Sequence, residues 1–325
     1  MRTNFDSQRI AKYLASAGVA SRRDVEKMIA EKRVSVDGAT LDTPAFKVTG
    51  REAILVDGKP VRRPGVARLW RYHKPVGLVT SNKDPEGRST IFDSLPKELP
   101  RVVTIGRLDL NTEGLLLLTN DGELARGLEL PATGLERTYR ARAYGRVQQQ
   151  ELDRLRDGIV HEGVEYRAII AKLERSIGAN CWIDVTLTEG KNREVRRALE
   201  SLGIKVNRLI RVSYGPVRLD DLAVGQVAEI TAADLLADFS ELIARDRRPD
   251  PSRGVKAGVG KTEAREAKRP PAKSGVPQKR RQTVPDRTEW TSGAPRPASR
   301  TRPGRAPAAS RPKGNGGNRS GPRKP

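Results

Sequence analysis

Apolar residues recur at helical spacing near the start of the chain, where Ile10, Tyr13, Leu14 and Ala17 fall on one face ahead of Gly18. The spacing predicts a helix over residues 8–18. A second helix is predicted from Ser21, because Ser21 and Asp24 form a short capping box and Val25, Met28 and Ile29 supply a face to bury. Arg22, Arg23 and Lys27 lie outside that face. The period then changes to two: residues 33–38 and 54–61 each read as a strand running into a tight hairpin, since Asp37-Gly38 and Asp57-Gly58 supply the positive backbone angles such a turn demands. Two helices followed by hairpins make a small module with a limited core, and we take residues 8–66 as the first domain.

Arg62-Arg63-Pro64-Gly65 reads as a linker into a second domain, residues 67–246. Apolar and polar residues alternate from Leu69 to Lys74, as in a strand; further strands are predicted at residues 115–119, 137–144, 165–173, 182–188 and 207–214, with helices starting near Gln148, Asn192 and Ala232. Strands and helices do not alternate strictly. The expected class is therefore α+β: a small α/β-hairpin domain, then a mixed, largely antiparallel sheet. Neither G-x-G-x-x-G nor G-x-x-x-x-G-K-[ST] occurs, so no nucleotide cofactor is expected. In the helix near Asn192, Asn192 is the predicted cap, Val195, Ala198, Leu199 and Leu202 the core face, and Arg193, Arg196 and Arg197 another face.

Charge changes the picture mainly at the far end. The chain of 325 residues carries 62 Lys+Arg against 40 Asp+Glu, a net charge of +22. Residues 247–325 hold 22 of the basic and 5 of the acidic side chains, so this Pro-, Gly-, Ser- and Ala-rich segment accounts for +17. With isolated Val and Trp290 as its large apolar residues, it cannot bury enough surface to offset ordering entropy, and a disordered basic tail is expected, acting as a tether to RNA or as a solubiliser. A polyanion is the expected partner, through release of its condensed counterions. One cysteine, Cys181, allows no internal disulfide, and with two histidines it cannot supply a zinc cage, although a carboxylate-bound magnesium stays open. No apolar run approaches the roughly 20 residues that cross a bilayer, and no signal-like segment follows Met1, so a cytoplasmic protein without membrane contact is expected.

The stretch most suggestive of chemistry is Gly106-Arg107-Leu108-Asp109-Leu110-Asn111-Thr112-Glu113-Gly114, followed by four leucines and Thr119-Asn120-Asp121-Gly122. It reads as a buried strand between turns. On pattern alone Asp109 is a turn or cap residue beside Asn111 and Thr112. The functional alternative is an ionised carboxylate acting on a substrate, which needs a nearby cation to offset its desolvation. The arginines after Asn192 could supply one, or could simply decorate a surface helix with an Arg196–Glu200 pair.

Two resemblances weight these options. Residues 8–23 and 33–38 resemble the "S-four"-type RNA-binding module shared with a small-subunit ribosomal protein. Residues 106–122, Glu136-Arg137-Thr138-Tyr139-Arg140-Ala141, residues 188–197 and Arg208-Leu209-Ile210-Arg211-Val212 resemble, in order and spacing, the ribosomal-RNA branch of the pseudouridine synthases, most closely the B-type members that act on large-subunit rRNA. The first resemblance implies phosphate contacts by Arg9, Lys12, Arg22, Arg23 and Arg33, with Ser21 capping beside them. The second implies that Asp109 is the catalytic carboxylate, Tyr139 stacks on the target uracil, and Arg196 is the cation paired with Asp109; Arg107 would fill the gap left by the extruded base or bind its phosphate, and Lys191 and Arg193 would contact RNA. The implied reaction detaches uracil from ribose at nitrogen and reattaches it through carbon, with no cofactor or metal. Asp109 attack on the sugar, attack on the ring, and abstraction of a sugar proton are all compatible with the residues. The implied partner is ribosomal RNA or a pre-ribosomal particle, large-subunit ahead of small-subunit, and a monomer is expected. Two other classes stay in view: a non-catalytic ribosome-assembly factor, and a DNA-binding protein with a helix-turn-helix over residues 8–34.

Overall fold

A computed structural model describes residues 7–252. Of the segment 247–325 expected to be disordered, residues 253–325 lie outside the described residues, whereas its start is ordered: the Arg247 carbonyl accepts the Ala67 N–H at 2.7 Å, and the Arg247 side chain pairs with Asp121 at 3.2 Å. The first helix, α1 (Ile10–Ser16), is preceded by the two-residue strand β1 (Gln8–Arg9), and α2 (Arg22–Ala30) follows. Ser21 starts α2 by accepting the Asp24 N–H at 3.1 Å, while its hydroxyl donates to Asp24 Oδ2 at 2.6 Å. Strands β2 (Val34–Val36), β3 (Ala39–Thr40), β4 (Lys47–Val48), β5 (Ile54–Val56) and β6 (Lys59–Pro60) complete the module, with β3-β2-β5-β6 forming one sheet and β1-β4 a separate pair. Asp37 and Asp57 have φ of 50° and 51°, and Gly38 and Gly58 have 86° and 72°, so both tight hairpins use the left-handed pairs their sequences predict. Ile10, Leu14, Val25, Ile29, Val34 and Val48 are completely buried in the module's own core.

The larger part is built on a sheet of nine strands among the described residues. Its strands are β7 (Leu69–Lys74), β8 (Val103–Ile105), β9 (Glu113–Thr119), β10 (Arg137–Tyr144), β13 (Ile170–Ile177), β14 (Asn180–Leu187), β15 (Lys205–Tyr214), β16 (Val217–Arg218) and β17 (Val227–Glu229); β11 (Ile159–His161) and β12 (Val164–Tyr166) form a hairpin apart from it. The order is β13-β14-β10-β15-β9-β7-β17, with β8 also on β9 and β16 on β15. Among these ladders β9 and β15 alone pair in parallel; the others are antiparallel, giving the mixed α+β sheet expected. The predicted strand at residues 165–173 is in fact split, its first part in β12 and its last part in β13.

Helices cover both sides of the β9 region: α3 (Ile91–Ser94) and α4 (Gly122–Glu129) come before β10, and α5 (Gln149–Asp153), α6 (Glu194–Glu200) and α7 (Ala232–Phe239) after it. Every residue of β9 is buried, and its leucines sort by parity. Leu115 and Leu117 join Leu124, Leu128, Leu235 and Phe239 on one face; Leu116 and Leu118 join Trp70, Tyr72, Ile91 and Leu108 on the other. At about 1.5–3 kcal/mol per buried leucine side chain, this strand is a major contributor to the core. A third cluster packs Ala141, Ala143, Ile183 and Val185 beneath Val195, Ala198 and Leu199 of α6. Tyr139 touches both this cluster and the one holding Leu108, so they share a face of the sheet.

The Thr119-Asn120-Asp121 end of the leucine strand is architectural. Thr119 donates to Arg68 O at 2.7 Å, Asn120 accepts the Arg68 N–H at 2.8 Å and donates to Val66 O at 2.9 Å, and Asp121 caps α4 through the Glu123 and Leu124 N–H groups. At the other end, Gly114 has φ +104° and lies against Arg211 of β15; an added Cβ would sit 2.3 Å from the Arg211 carbonyl oxygen. That approach is what allows the parallel pairing, Gly114 beside Arg211. Gly114→Ala is therefore expected to cost about 3 kcal/mol and to lower Tm by about 6–12 °C for a domain of this size. A thermal unfolding midpoint unchanged to within about 2 °C would show that the two strands do not approach this closely.

Candidate active site

Asp109 sits in the turn that leads into β9, and five consecutive carbonyl groups of that turn are engaged. Leu108 O accepts from Thr80 Oγ1 at 2.8 Å. Asp109 O accepts the Thr112 N–H at 3.0 Å and Lys74 Nζ at 3.2 Å. Leu110 O accepts the Gly77 N–H at 2.8 Å, Asn111 O accepts Arg196 Nη2 at 2.9 Å, and Thr112 O accepts Lys74 Nζ at 3.0 Å. The donors come from β7, the loop after it, α6 and, through the Thr112 N–H, the turn itself. The half-buried Asp109 carboxylate itself makes no hydrogen bond or ion pair among the described residues, so the turn is fixed through its backbone and not through the acid.

Lys74 is completely buried at the end of β7. Burial pulls its pKa down to about 8, opposed by the charges of Asp109 and Glu113. Arg196 is also buried: Nη1 donates to Val206 O at 2.9 Å, Nη2 reaches Asn111 O, and Nε has no partner. Burial lowers its pKa and the neighbouring Arg193 charge acts in the same direction, while Asp109 favours the charged form. Arg196 thus lies within electrostatic reach of Asp109 without a direct ion pair; the link between them is the Asn111 carbonyl. Tyr139 is half-buried on β10, immediately after a register shift against β15, with Arg211 and Val185 as cross-strand neighbours. It completes the group at the seam between the Leu108 cluster and the α6 cluster.

The arginine-rich helix differs from expectation in two respects. Its cap is not Asn192: Arg193 holds the N-cap position in a left-handed conformation, φ 53°, without a side-chain cap, and the Glu194 carboxylate accepts the Lys191 N–H at 2.8 Å. Arg196 does not share an outer face with Arg193 and Arg197, because it turns inward to Asn111 and Val206 while Arg197 stays nearer the surface at Tyr166.

Several candidate RNA contacts are already engaged. Lys12 pairs with Glu123 of α4, and Arg33 makes a fork onto Asp57 with 2.7 Å to each oxygen plus a contact to Glu31. Lys191 pairs with Glu189 at 3.1 Å and also donates to Glu165 O. Arg9, Arg22, Arg23, Arg107 and Arg193 are exposed and make no ion pair among the described residues. Among those residues no three His, Cys, Asp or Glu side chains are grouped so as to hold a metal ion, and no helix is long and apolar enough to cross a membrane.

Lys74 is not among the residues that spacing and motif single out, although a signal existed: in the alternation of residues 69–74 it falls in phase with Trp70 and Tyr72, a core position. Spacing and motif do not single out the pair Glu189 and Glu194 either. Both carboxyls are buried beside each other, and burial with the neighbouring Glu189 pushes Glu194 up to about 7. The hydrogen bond between the Glu194 and Glu189 side chains adds to burial in favouring the neutral form of Glu194.

Known proteins give this geometry a family. Residues 68–201 match the RNA pseudouridylate synthase family and residues 8–54 the S4 domain. The chain is 48% identical over 223 residues to an uncharacterised RNA pseudouridine synthase of Rickettsia felis, spanning 69% of this chain and 96% of that one. It is 40% identical over 313 residues to ribosomal large subunit pseudouridine synthase B of Pseudomonas aeruginosa, spanning 94% and 81% respectively. A crystal structure of a pseudouridylate synthase superposes with a TM-score of 0.50 at 26% identity, covering 73% of this chain and all of the other. The chain belongs to the RNA pseudouridine synthases, a family of isomerases, and carries an S4 domain ahead of the catalytic fold.

The acid pair predicts a pH dependence. The folded pKa of Glu194 lies above that of an unfolded glutamate, so its stabilising contribution is complete below about 4.5 and is lost as pH rises toward about 7. Glu194→Gln keeps a neutral donor toward Glu189 at every pH. It is expected to stabilise the protein at pH 8 by on the order of 1 kcal/mol and to leave pH 5 stability nearly unchanged, as read from Tm at the two pH values. Equal shifts at both would show that Glu194 does not titrate in this range.

Proposed function

We propose that the protein converts a specific uridine of large-subunit ribosomal RNA to pseudouridine, with Asp109 as the catalytic carboxylate. The observation that carries the assignment is the turn at Asp109, whose backbone is held from several directions while its carboxylate is left unengaged within electrostatic reach of Arg196. The large-subunit assignment draws on the similarity to the Pseudomonas aeruginosa protein. In the reaction, the bond from uracil N1 to the sugar breaks, a bond from C5 forms in its place, the C5 proton leaves and N1 gains one. Atoms balance without an external reactant.

Each neighbour has a physical task. Tyr139 stacks on the extruded uracil, its ring backed by two apolar clusters. Arg196 brings a positive charge within electrostatic reach of Asp109 and positions it through the Asn111 carbonyl. Lys74 is a second positioning residue on the same turn. Arg107, exposed next to the turn, enters the space left by the base or meets its phosphate. Residues 8–66 hold structured RNA through the unpaired Arg9, Arg22 and Arg23, with Ser21 fixing the start of the helix that presents the last two, while Lys12 and Arg33 serve first as internal ion pairs; Arg193 adds a contact at the start of α6, next to the engaged Lys191. Residues 67–246 form the catalytic domain, acting as a monomer in the cytoplasm on free rRNA or a pre-ribosomal particle.

The test uses large-subunit rRNA transcribed with tritium at uridine C5. The unaltered protein should release tritium, and Asp109→Asn should bind the RNA with the same affinity while release falls at least about 1,000-fold. Release at full rate by the variant would remove Asp109 from catalysis. Binding without release by the unaltered protein would leave a non-catalytic assembly factor.

A further inference from the structure

The face of the sheet turned away from α6 is not covered across β13, β14, β10 and the start of β15, and it carries an ordered set of cations. Inward residues alternate with outward ones: Ala141 and Ala143 of β10 and Cys181, Ile183 and Val185 of β14 are buried, whereas Arg140, Arg142 and Tyr144 are exposed and Trp182 and Asp184 are half-buried. Strand register aligns the outward residues in rows. Arg175, Trp182, Arg142 and Arg208 form one row across four strands, and Lys172, Asp184, Arg140 and Ile210 form the next. With neighbouring strands about 4.8 Å apart, each row spans ~14 Å.

Part of the charge is neutralised locally. Lys172 pairs with Glu174 at 3.1 Å, Arg140 lies 4.0 Å from Asp184, and Arg208 pairs with Glu113. Arg142 and Arg175, together with Lys205 on β15, have no carboxylate partner among the described residues. Between these cations lies Trp182, whose ring is 5.3 Å from the Arg140 guanidinium and 5.8 Å from that of Arg175. Cations on an edge strand are a common defence against strand-to-strand aggregation, which would account for Lys172 and Arg175 on β13. It does not account for Arg142 and Arg208, which lie on interior strands. An uncompensated guanidinium, Arg175, against the half-exposed indole of Trp182, with a second, Arg142, in the same row, instead matches a sugar–phosphate strand with an unstacked base.

We propose that this sheet face is a second RNA-contact surface, binding a segment of the RNA substrate remote from the target nucleotide through Arg142, Arg175 and Trp182. It rests on the reading that the substrate is a large RNA. The contacts position the RNA and leave the chemistry untouched, since the face lies on the side of β10 opposite Tyr139.

The experiment compares the full chain with Arg142→Ala/Arg175→Ala, using a full-length large-subunit rRNA transcript. Loss of two phosphate contacts should weaken binding about 10-fold at moderate salt and reduce the slope of log K against log salt by about 1.5–2. Tritium release at saturating RNA should stay within about 2-fold of the unaltered protein. As a check that requires no substitution, the same RNA should slow acetylation of Lys172 and Lys205 in the unaltered chain. Unchanged affinity, salt slope and acetylation, in a protein that still isomerises the transcript, would overturn the second surface and leave the proposed function intact. Failure of the unaltered protein to bind the transcript would overturn both.

Discussion

The site depends on a row of carbonyl groups. From Leu108 to Thr112 each carbonyl oxygen has a donor, and two of those donors are cations taken out of water, Lys74 and Arg196. Burying a charge is costly unless it is well hydrogen-bonded. Lys74 meets that condition with three main-chain oxygens, those of Pro75, Asp109 and Thr112, and Arg196 with those of Asn111 and Val206. Neither cation is consumed by the Asp109 carboxylate. The acid therefore sits in a positive surrounding and keeps its lone pairs available, which a reacting carboxylate requires and a structural ion pair would deny.

The sheet makes this arrangement possible. Lys74 ends β7 and Gly114 lies near the start of β9, and the two are register partners, so the lysine reaches across the turn that opens β9. On the other side, Gly114 admits β15 in parallel pairing, and α6, just ahead of β15 in the chain, brings Arg196 to the same turn. Tyr139 enters from β10, next to β15, where a register shift interrupts the pairing. Such irregularities re-aim side chains at sites. The candidate site is thus assembled from four segments far apart in sequence, three of them brought together by the sheet and the fourth, Arg196, by α6.

Much of this architecture is legible in the amino-acid sequence because it is written in local periodicity. The two helices and Asp-Gly hairpins of the first module, the buried leucine strand, and the long alternating strands of the second domain all follow from spacing and turn chemistry. What was not legible required partners from elsewhere in the chain. Lys74 sits in a core phase, but its three acceptors lie at Pro75, Asp109 and Thr112, and no local pattern names the last two. Helical spacing put Arg196 with Arg193 and Arg197; the short α6 and the carbonyls of Asn111 and Val206 draw it inward instead. Arg33 looked like a free cation because Asp57 is 24 residues away. Asn192 looked like a cap because the role of Glu194, reaching back to the Lys191 N–H, depends on a left-handed Arg193 that sequence does not announce.

The positioning role of the Arg196 fork can be separated from its charge by replacing it with lysine, which keeps the positive charge and loses the second arm. Single-turnover conversion of saturating rRNA by Arg196→Lys is the most direct measurement. The backbone grip predicts a rate about 100-fold below the unaltered protein, the cost of misplacing a reacting group by about 1 Å, with RNA affinity unchanged. A rate within about 2-fold of the unaltered protein would contradict it, because charge alone would then suffice and the Asn111 carbonyl contact would carry no function.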